Sequence, residues 1–460
     1  MDSSRALRLL AVGPGPGTLV TDPDVLAAHR TDRASFCPSG TPLALVRPRS
    51  TEEVAHVLAV AGECGVPVVP QGARTGLAGG ANAVDGCILL SLERMASIVE
   101  IDPVDQVAVV EPGVVNADLS AAVAEHGLCY PPDPVSFRQA TMGGNVATNA
   151  GGLCCVKYGV TADFVRGLEV VLAGGEVLRT GRRSAKGVAG YDLTRLFVGS
   201  EGTLGVVTQI TVALLPAAEA PRTAVAFFPA AAAACAAATD FMASGVRPSM
   251  LELMDRTSVE AVTAYRDLGF PPDTGAVLIA QSDRGGERAA ADLELFADAA
   301  ARHEGEPLVA ADAQEADLLL EARRALQPAL ERLGAFLADD VCVPRSALAS
   351  LIDGIQGISR TSGLLITCNG HAGDGNTHPT VIFDRDDPRQ VERAQRAFED
   401  VMALGLELGG TITGEHGVGT LKAGWLVREL GPVGLGVHRG IKRLLDPRGI
   451  LNPGKVLRAA

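Results

Sequence analysis

Val66-Pro67-Val68-Val69-Pro70-Gln71-Gly72-Ala73-Arg74-Thr75-Gly76-Leu77-Ala78-Gly79-Gly80-Ala81 runs from an apolar segment into a loop with four glycines in nine residues. The β-branched start reads as a strand over residues 66–69. The loop that follows exposes backbone N–H groups to something that approaches closely, and a pyrophosphate is the best chemical match. Its spacing is neither G-x-G-x-x-G nor a Walker motif, so for this loop taken alone a flexible surface turn competes.

Two similar regions follow. One joins Tyr130-Pro131-Pro132-Asp133-Pro134-Val135-Ser136 to Thr141-Met142-Gly143-Gly144-Asn145-Val146-Ala147-Thr148-Asn149-Ala150-Gly151-Gly152; the other is Val198-Gly199-Ser200-Glu201-Gly202-Thr203-Leu204-Gly205-Val206-Val207. So much Gly, Asn and Thr between apolar segments implies backbone and small side chains wrapped round an extended ligand. Residues 164–173 and 176–179 flank Gly174-Gly175 as a hairpin, so the sheet is not purely parallel and the pattern is not a Rossmann one.

A second focus lies at Asn369-Gly370-His371-Ala372-Gly373-Asp374-Gly375-Asn376-Thr377-His378-Pro379, followed by Thr413-Gly414-Glu415-His416-Gly417-Val418-Gly419. Three glycines in six residues forbid a helix, so His371 and His378 flank a tight loop between two predicted strands, 363–368 and 380–383. Two imidazoles with the Glu415 carboxylate make a sensible ligand set for Zn²⁺ or a similar divalent ion, with one position open. His416 then stands beside the ion as an unligated base. The alternative is loop histidines satisfied by backbone, and the spacing matches no standard zinc signature.

A chain of 460 residues supports two or three domains with cores of their own. A net charge of -14 with no basic stripe argues against a nucleic-acid partner. No run of eighteen uncharged apolar residues occurs, and the start, interrupted by Gly13-Pro14-Gly15-Pro16-Gly17, resembles neither a secretory signal nor a span. A cytoplasmic protein is expected, with peripheral membrane attachment as the variant. Nine scattered cysteines without C-x-x-C predict core thiols; Cys154-Cys155 is read as two thiols rather than a vicinal disulfide.

Elsewhere the N-terminus reads as loose, and Ser50-Thr51-Glu52-Glu53 as a capping box opening a helix that Gly65 ends. Helices are predicted over 116–126, 230–238, 287–303, 313–333 and 388–408, with strands at 88–92, 107–110 and 276–280, and a short helix within 441–455. The change of character near Arg222 marks a second, α+β domain with helices on one face of a sheet.

The ordered set PQGARTGLAGGA, PPDPVS, TMGGNVATNAGG, VGSEGTLGVVT, HAGDGNTHP, TGEHGVG and ILNPGK resembles the FAD-linked D-2-hydroxy acid dehydrogenases, a family that includes glycolate oxidase catalytic subunits, D-lactate dehydrogenases and D-2-hydroxyglutarate dehydrogenases. The resemblance implies an α+β fold: a two-part vanillyl-alcohol oxidase-type FAD-binding domain (41–220) after an N-terminal segment (1–40), an α+β cap with an antiparallel sheet (221–410), and a C-terminal segment (411–460) returning to the FAD domain. It makes Pro70, Gly72, Ala73, Arg74, Thr75, Gly76, Pro132, Asp133, Ser136, Thr141, Gly144, Asn145, Thr148, Gly151, Gly152, Glu201, Val207 and Asn452 candidate FAD contacts. No His lies in the first loop, so noncovalent flavin is expected. His371, His378 and Glu415 become metal ligands, with zinc the expected ion, and His416 becomes the base. Arg323, with Arg324 as the alternative, pairs with the substrate carboxylate.

The same resemblance implies a small 2-hydroxy acid as substrate and a separate electron acceptor: an electron-transfer flavoprotein, a quinone, a cytochrome or an iron–sulfur subunit. A homodimer is also compatible with it. Hydroxyglutarate enzymes carry a Lys and an Asn where this chain has Ala338 and Thr380. Without that cation a dicarboxylate loses its charge partner, which favours D-lactate or glycolate. D-2-hydroxyglutarate oxidation, a flavin subunit silent without partners, and a metal-dependent hydrolase are the competing functions.

Overall fold

The computed structural model describes residues 2–13, 18–34 and 36–458, so most of the Gly13–Gly17 interruption, residues 14–17, lies outside the described residues. The chain forms two compact units: one from residues 1–152, 159–217 and 415–460, the other from 153–158 and 218–414.

The first unit holds two main sheets. A four-stranded one runs in the order Leu19–Val20, Ala44–Val46, Ile88–Ser91, Val68–Gln71, and its last three strands are parallel. The crossover helix Thr51–Cys64 is capped by the Ser50 side chain, which accepts from the Glu53 N–H, and ends at Gly65 in a left-handed conformation. The expected capping box closes one residue early, because the Glu53 carboxylate accepts from the N–H of Arg49 rather than Ser50.

A five-stranded antiparallel sheet, ordered Ile98–Asp102, Val107–Val110, Val206–Ala213, Val165–Val171, Val177–Gly181, contains the expected hairpin. Leu58, Val68, Ile88, Leu90, Val171 and Val206 share one apolar core with Ile450 and Leu451, so burial returns the C-terminal segment to this unit. Backbone bonds fix its register: Val68 N–H donates to Ile450 O at 2.8 Å, and Asn452 N–H to Val68 O at 2.8 Å.

Three local readings differ from the sequence. The N-terminus is not loose: Ser3–Val12 is a helix capped by Asp2, and its Ala6 and Leu10 are buried in the core. Residues Met142–Thr148 form a short helix, because the Thr141 hydroxyl caps the Gly144 N–H and offsets the poor propensity of two glycines. The final helix runs Leu426–Leu445, longer than expected; Gly431, at φ 66°, and Pro432 kink it and mask its period.

In the second unit an antiparallel sheet follows the order Glu306–Val309, Arg222–Phe228, Ala276–Ser282, Met250–Asp255, Leu365–His371, Asn376–Phe383, Ala335–Ala338, with Val341–Cys342 also paired to Asn376–Phe383. Helices Arg256–Tyr265 and Ala313–Glu331 pack Val259, Val262, Leu326 and Leu330 against Met250, Met254, Val277 and Ile382 of that sheet. All nine cysteines are free thiols, Cys154 and Cys155 included. Among the described residues no helix is long and apolar enough to cross a membrane.

Candidate active site

Strand Leu365–His371 ends on His371, and the chain reverses through residues 372–375 into Asn376–Phe383. Gly375 sits at φ 89°, and a Cβ there would lie 2.0 Å from Val343 O, so the turn tolerates no side chain. His378 is the third residue of the return strand. The register pairs His371 with Asn376 and Asn369 with His378, which makes the two histidines diagonal neighbours on one face of the sheet.

Their rings stand nearly perpendicular, with centroids 5.2 Å apart, and the two Nε2 atoms are 3.3 Å apart. The neighbouring strand places Glu252 directly opposite His371, where its Oε1 accepts from the ring Nδ1–H. A proton held on Nδ1 leaves Nε2 of His371 as a lone pair. Arg323, on helix Ala313–Glu331, donates from Nε to the other Glu252 oxygen at 2.9 Å. Glu252 is fully buried; burial opposes its charge, but His371 and Arg323 outweigh that and hold its carboxyl below the usual range.

Beyond His378, the buried Asp340 carboxylate lies 3.8 Å from Nδ1, and the Thr413 hydroxyl donates to that carboxylate at 2.6 Å. Glu415 and His416 follow Thr413 by two and three residues in the chain. Arg323 and Arg324 separate cleanly: the side chain of Arg323 is 15% exposed, whereas that of Arg324 is 52% exposed and pairs with Asp317 and Glu321. Ala338 and Thr380 pair across adjacent strands, on the face that carries His378.

The separation of the two Nε2 atoms tests the metal reading. Two nitrogens each about 2.0–2.1 Å from a tetrahedral ion lie roughly 3.3–3.4 Å apart, and the pair already has that spacing. Sequence reasoning gave neither Glu252 nor Asp340 a role. The available signal for Glu252 was an acid within the apolar run Met250-Leu251-Glu252-Leu253-Met254.

In the first unit, the glycine-rich loops pack together. A Cβ on Gly72 would lie 2.5 Å from the Thr141 hydroxyl, and one on Gly152 would lie 2.4 Å from Asp133 O. Among them are buried polar atoms with no hydrogen-bond partner among the described residues: Gln71 Oε1, Asn145 Nδ2 and Asn452 Oδ1. Buried groups of this kind are costly unless a ligand completes them, and they offer both donor and acceptor to one. Asn452 spends its amide N–H groups on Gly80 O and Glu201 O. The Glu201 carboxylate, an expected FAD contact, accepts from the backbone N–H groups of Val418 and Gly419 at 2.7 and 2.9 Å. It thus anchors the loop that follows Glu415 and His416.

A model of FAD linked oxidases, C-terminal domain, matches residues 217–456, and one of an FAD binding domain matches 42–181. The chain belongs to the FAD-linked oxidases. This oxidase is 42% identical over 417 residues to glycolate oxidase subunit GlcD of Bacillus subtilis, covering 90% of this chain and 89% of the relative. It is 35% identical over 435 residues to a D-lactate dehydrogenase of Anaerostipes hadrus, covering 92% and 91%. Its fold matches 4-ethylphenol oxidase of Gulosibacter chungangensis with a TM-score of 0.82 at 20% identity, over 99% and 97% of the two chains. This FAD-linked oxidase is therefore an oxidoreductase with the vanillyl-alcohol oxidase-type FAD-binding fold, as its motifs implied.

Proposed function

We propose that this oxidase oxidises a small D-2-hydroxy acid, D-lactate or glycolate, to the 2-oxo acid with the help of a divalent ion. The observation that carries the reading is the His371–His378 pair, whose Nε2 atoms converge at 3.3 Å with Glu252 fixing one tautomer. The names of relatives support the substrate class: one is a glycolate oxidase subunit and another a D-lactate dehydrogenase.

His371, His378 and Glu415 would hold the ion, zinc being the expected one, and the Asp340 carboxylate faces Nδ1 of His378 at 3.8 Å. When bound, the ion supplies positive charge that lowers the substrate hydroxyl pKa, and FAD supplies the two-electron acceptor. His416 takes the hydroxyl proton. Arg323 orients the carboxylate, its guanidinium plane fixed by the Nε bond to Glu252. Gln71, Asn145 and Asn452, with the Gly72 and Gly152 turns, hold FAD. The pairing of Ala338 with Thr380 offers no cation to a second carboxylate, which favours a monocarboxylate. Electrons then leave to a separate acceptor.

His416→Ala tests the assignment. The variant is expected to retain FAD and bound Zn²⁺ while losing flavin reduction by substrate. Near-normal reduction would remove His416 as the base.

A further inference from the structure

Glu252 is a single carboxylate with two dissimilar tasks. It is 0% exposed, lies opposite His371 in the sheet register, and bonds through Oε1 to that ring and through Oε2 to Arg323. Met250 and Met254 flank it on the same face of its strand and belong to the apolar core. With no exposure to water, it is compensated within that core, among the described residues, by its bonds to His371 and Arg323.

We propose that Glu252 is a positioning residue that couples the divalent-ion site to recognition of the substrate carboxylate, an inference that rests on the function proposed above. Both its neighbours are donors, His371 through Nδ1–H and Arg323 through Nε–H. Only an acceptor-only group can satisfy both at once, and an ionised carboxylate is such a group.

An amide cannot replace it. If a glutamine turned its NH₂ toward His371, Nδ1 would become the acceptor and the ring proton would move to Nε2, the atom facing His378. That ring could then no longer ligate a cation. If the NH₂ turned toward Arg323 instead, two donors would face each other, and the guanidinium would lose its fixed plane. Either orientation removes one of the two functions, and a population of both weakens both.

The coupling also has a sign. The Arg323 cation neutralises part of the Glu252 charge. Removing that cation leaves the carboxylate to polarise His371 more strongly, which makes Nε2 a better donor to a divalent ion. A residue that merely packed the sheet would not respond in this way.

The experiment measures Zn²⁺ affinity by chelator competition on FAD-loaded wild type, Glu252→Gln and Arg323→Gln, with no substrate present. KM and kcat for D-lactate are measured on the same samples. The expected result is a Zn²⁺ affinity lower by about 10–100-fold in Glu252→Gln, with a raised KM. In Arg323→Gln the Zn²⁺ affinity is expected to rise while KM also rises. Opposite changes in ion affinity from two directly bonded neighbours exclude simple unfolding as the cause, even if one variant is less stable. Wild type that binds Zn²⁺ while both variants bind it equally well would overturn the coupling alone. Wild type with no measurable Zn²⁺ affinity would overturn the ion site itself, and the coupling with it.

Discussion

Replacing Glu201 with glutamine should remove a pH dependence from the FAD-binding unit. Burial, its largest influence, pushes the Glu201 carboxyl up to about 7 from a usual value of 4.5. The N–H groups of Val418 and Gly419 and the ammonium of Lys455 pull it down, and Asp32 pushes it up. A folded-state value above the unfolded one means that the native protein holds the proton longer. The wild type is therefore favoured at low pH and loses stability as pH rises through 4.5 to 7. For a shift of this size the loss between pH 5 and pH 8 is about 2–3 kcal/mol, and the neutral glutamine lacks it.

The chain's only tryptophan makes the assay local. Trp425 lies in the same unit, its N–H bonds to Lys422 O at 2.8 Å, and Lys422 N–H in turn bonds to Val418 O at 3.0 Å. Urea unfolding followed by Trp425 fluorescence at pH 5 and pH 8, in saturating FAD, should show a larger fall in stability for wild type than for Glu201→Gln. Because groups not coupled to Glu201 titrate equally in both proteins, the difference between the two falls isolates Glu201 together with its charge partners Asp32 and Lys455. Parallel pH profiles would refute the account of Glu201 as a desolvated carboxylate serving that loop.

Other substitutions separate neighbours. Arg323→Lys should raise KM for D-lactate at least about tenfold, since a lysine cannot keep the planar Nε bond to Glu252 and still present a fork to the substrate. Arg324→Ala should leave KM unchanged and alter stability by no more than about 0.5 kcal/mol, because its partners are surface carboxylates, as denaturant midpoints will show. Ala338→Lys should raise the ratio of kcat/KM for D-2-hydroxyglutarate to that for D-lactate by about tenfold or more, supplying the missing cation.

What could be read from the sequence was local. The turn at residues 372–375 is encoded by its glycines, and the strands either side by their apolar runs, so the loop between His371 and His378 could be read directly. The glycine-rich loops and the hairpin Val165–Val171 to Val177–Gly181 were legible for the same reason. Glu252 and Asp340 were not, because what brings them to the histidines is sheet register: Glu252 pairs with a residue 119 positions away, a relation that no local period encodes. Arg323 and Arg324 carry the same charge and differ only in which face of their helix meets the sheet, which became visible when Leu326 and Leu330 were seen to pack beneath it. The helix Leu426–Leu445 escaped reading because Gly431 and Pro432 look like a terminus when no tertiary contact is known.

The central claim is that this FAD-linked oxidase takes electrons from a small D-2-hydroxy acid. The most direct measurement is the anaerobic visible spectrum of the FAD-loaded protein before and after adding D-lactate, glycolate, D-2-hydroxyglutarate and L-lactate in turn. Bleaching of the flavin by D-lactate or glycolate, with little change from L-lactate or D-2-hydroxyglutarate, is the predicted result. A flavin that none of the four acids reduces, or that D-2-hydroxyglutarate reduces best, would contradict it.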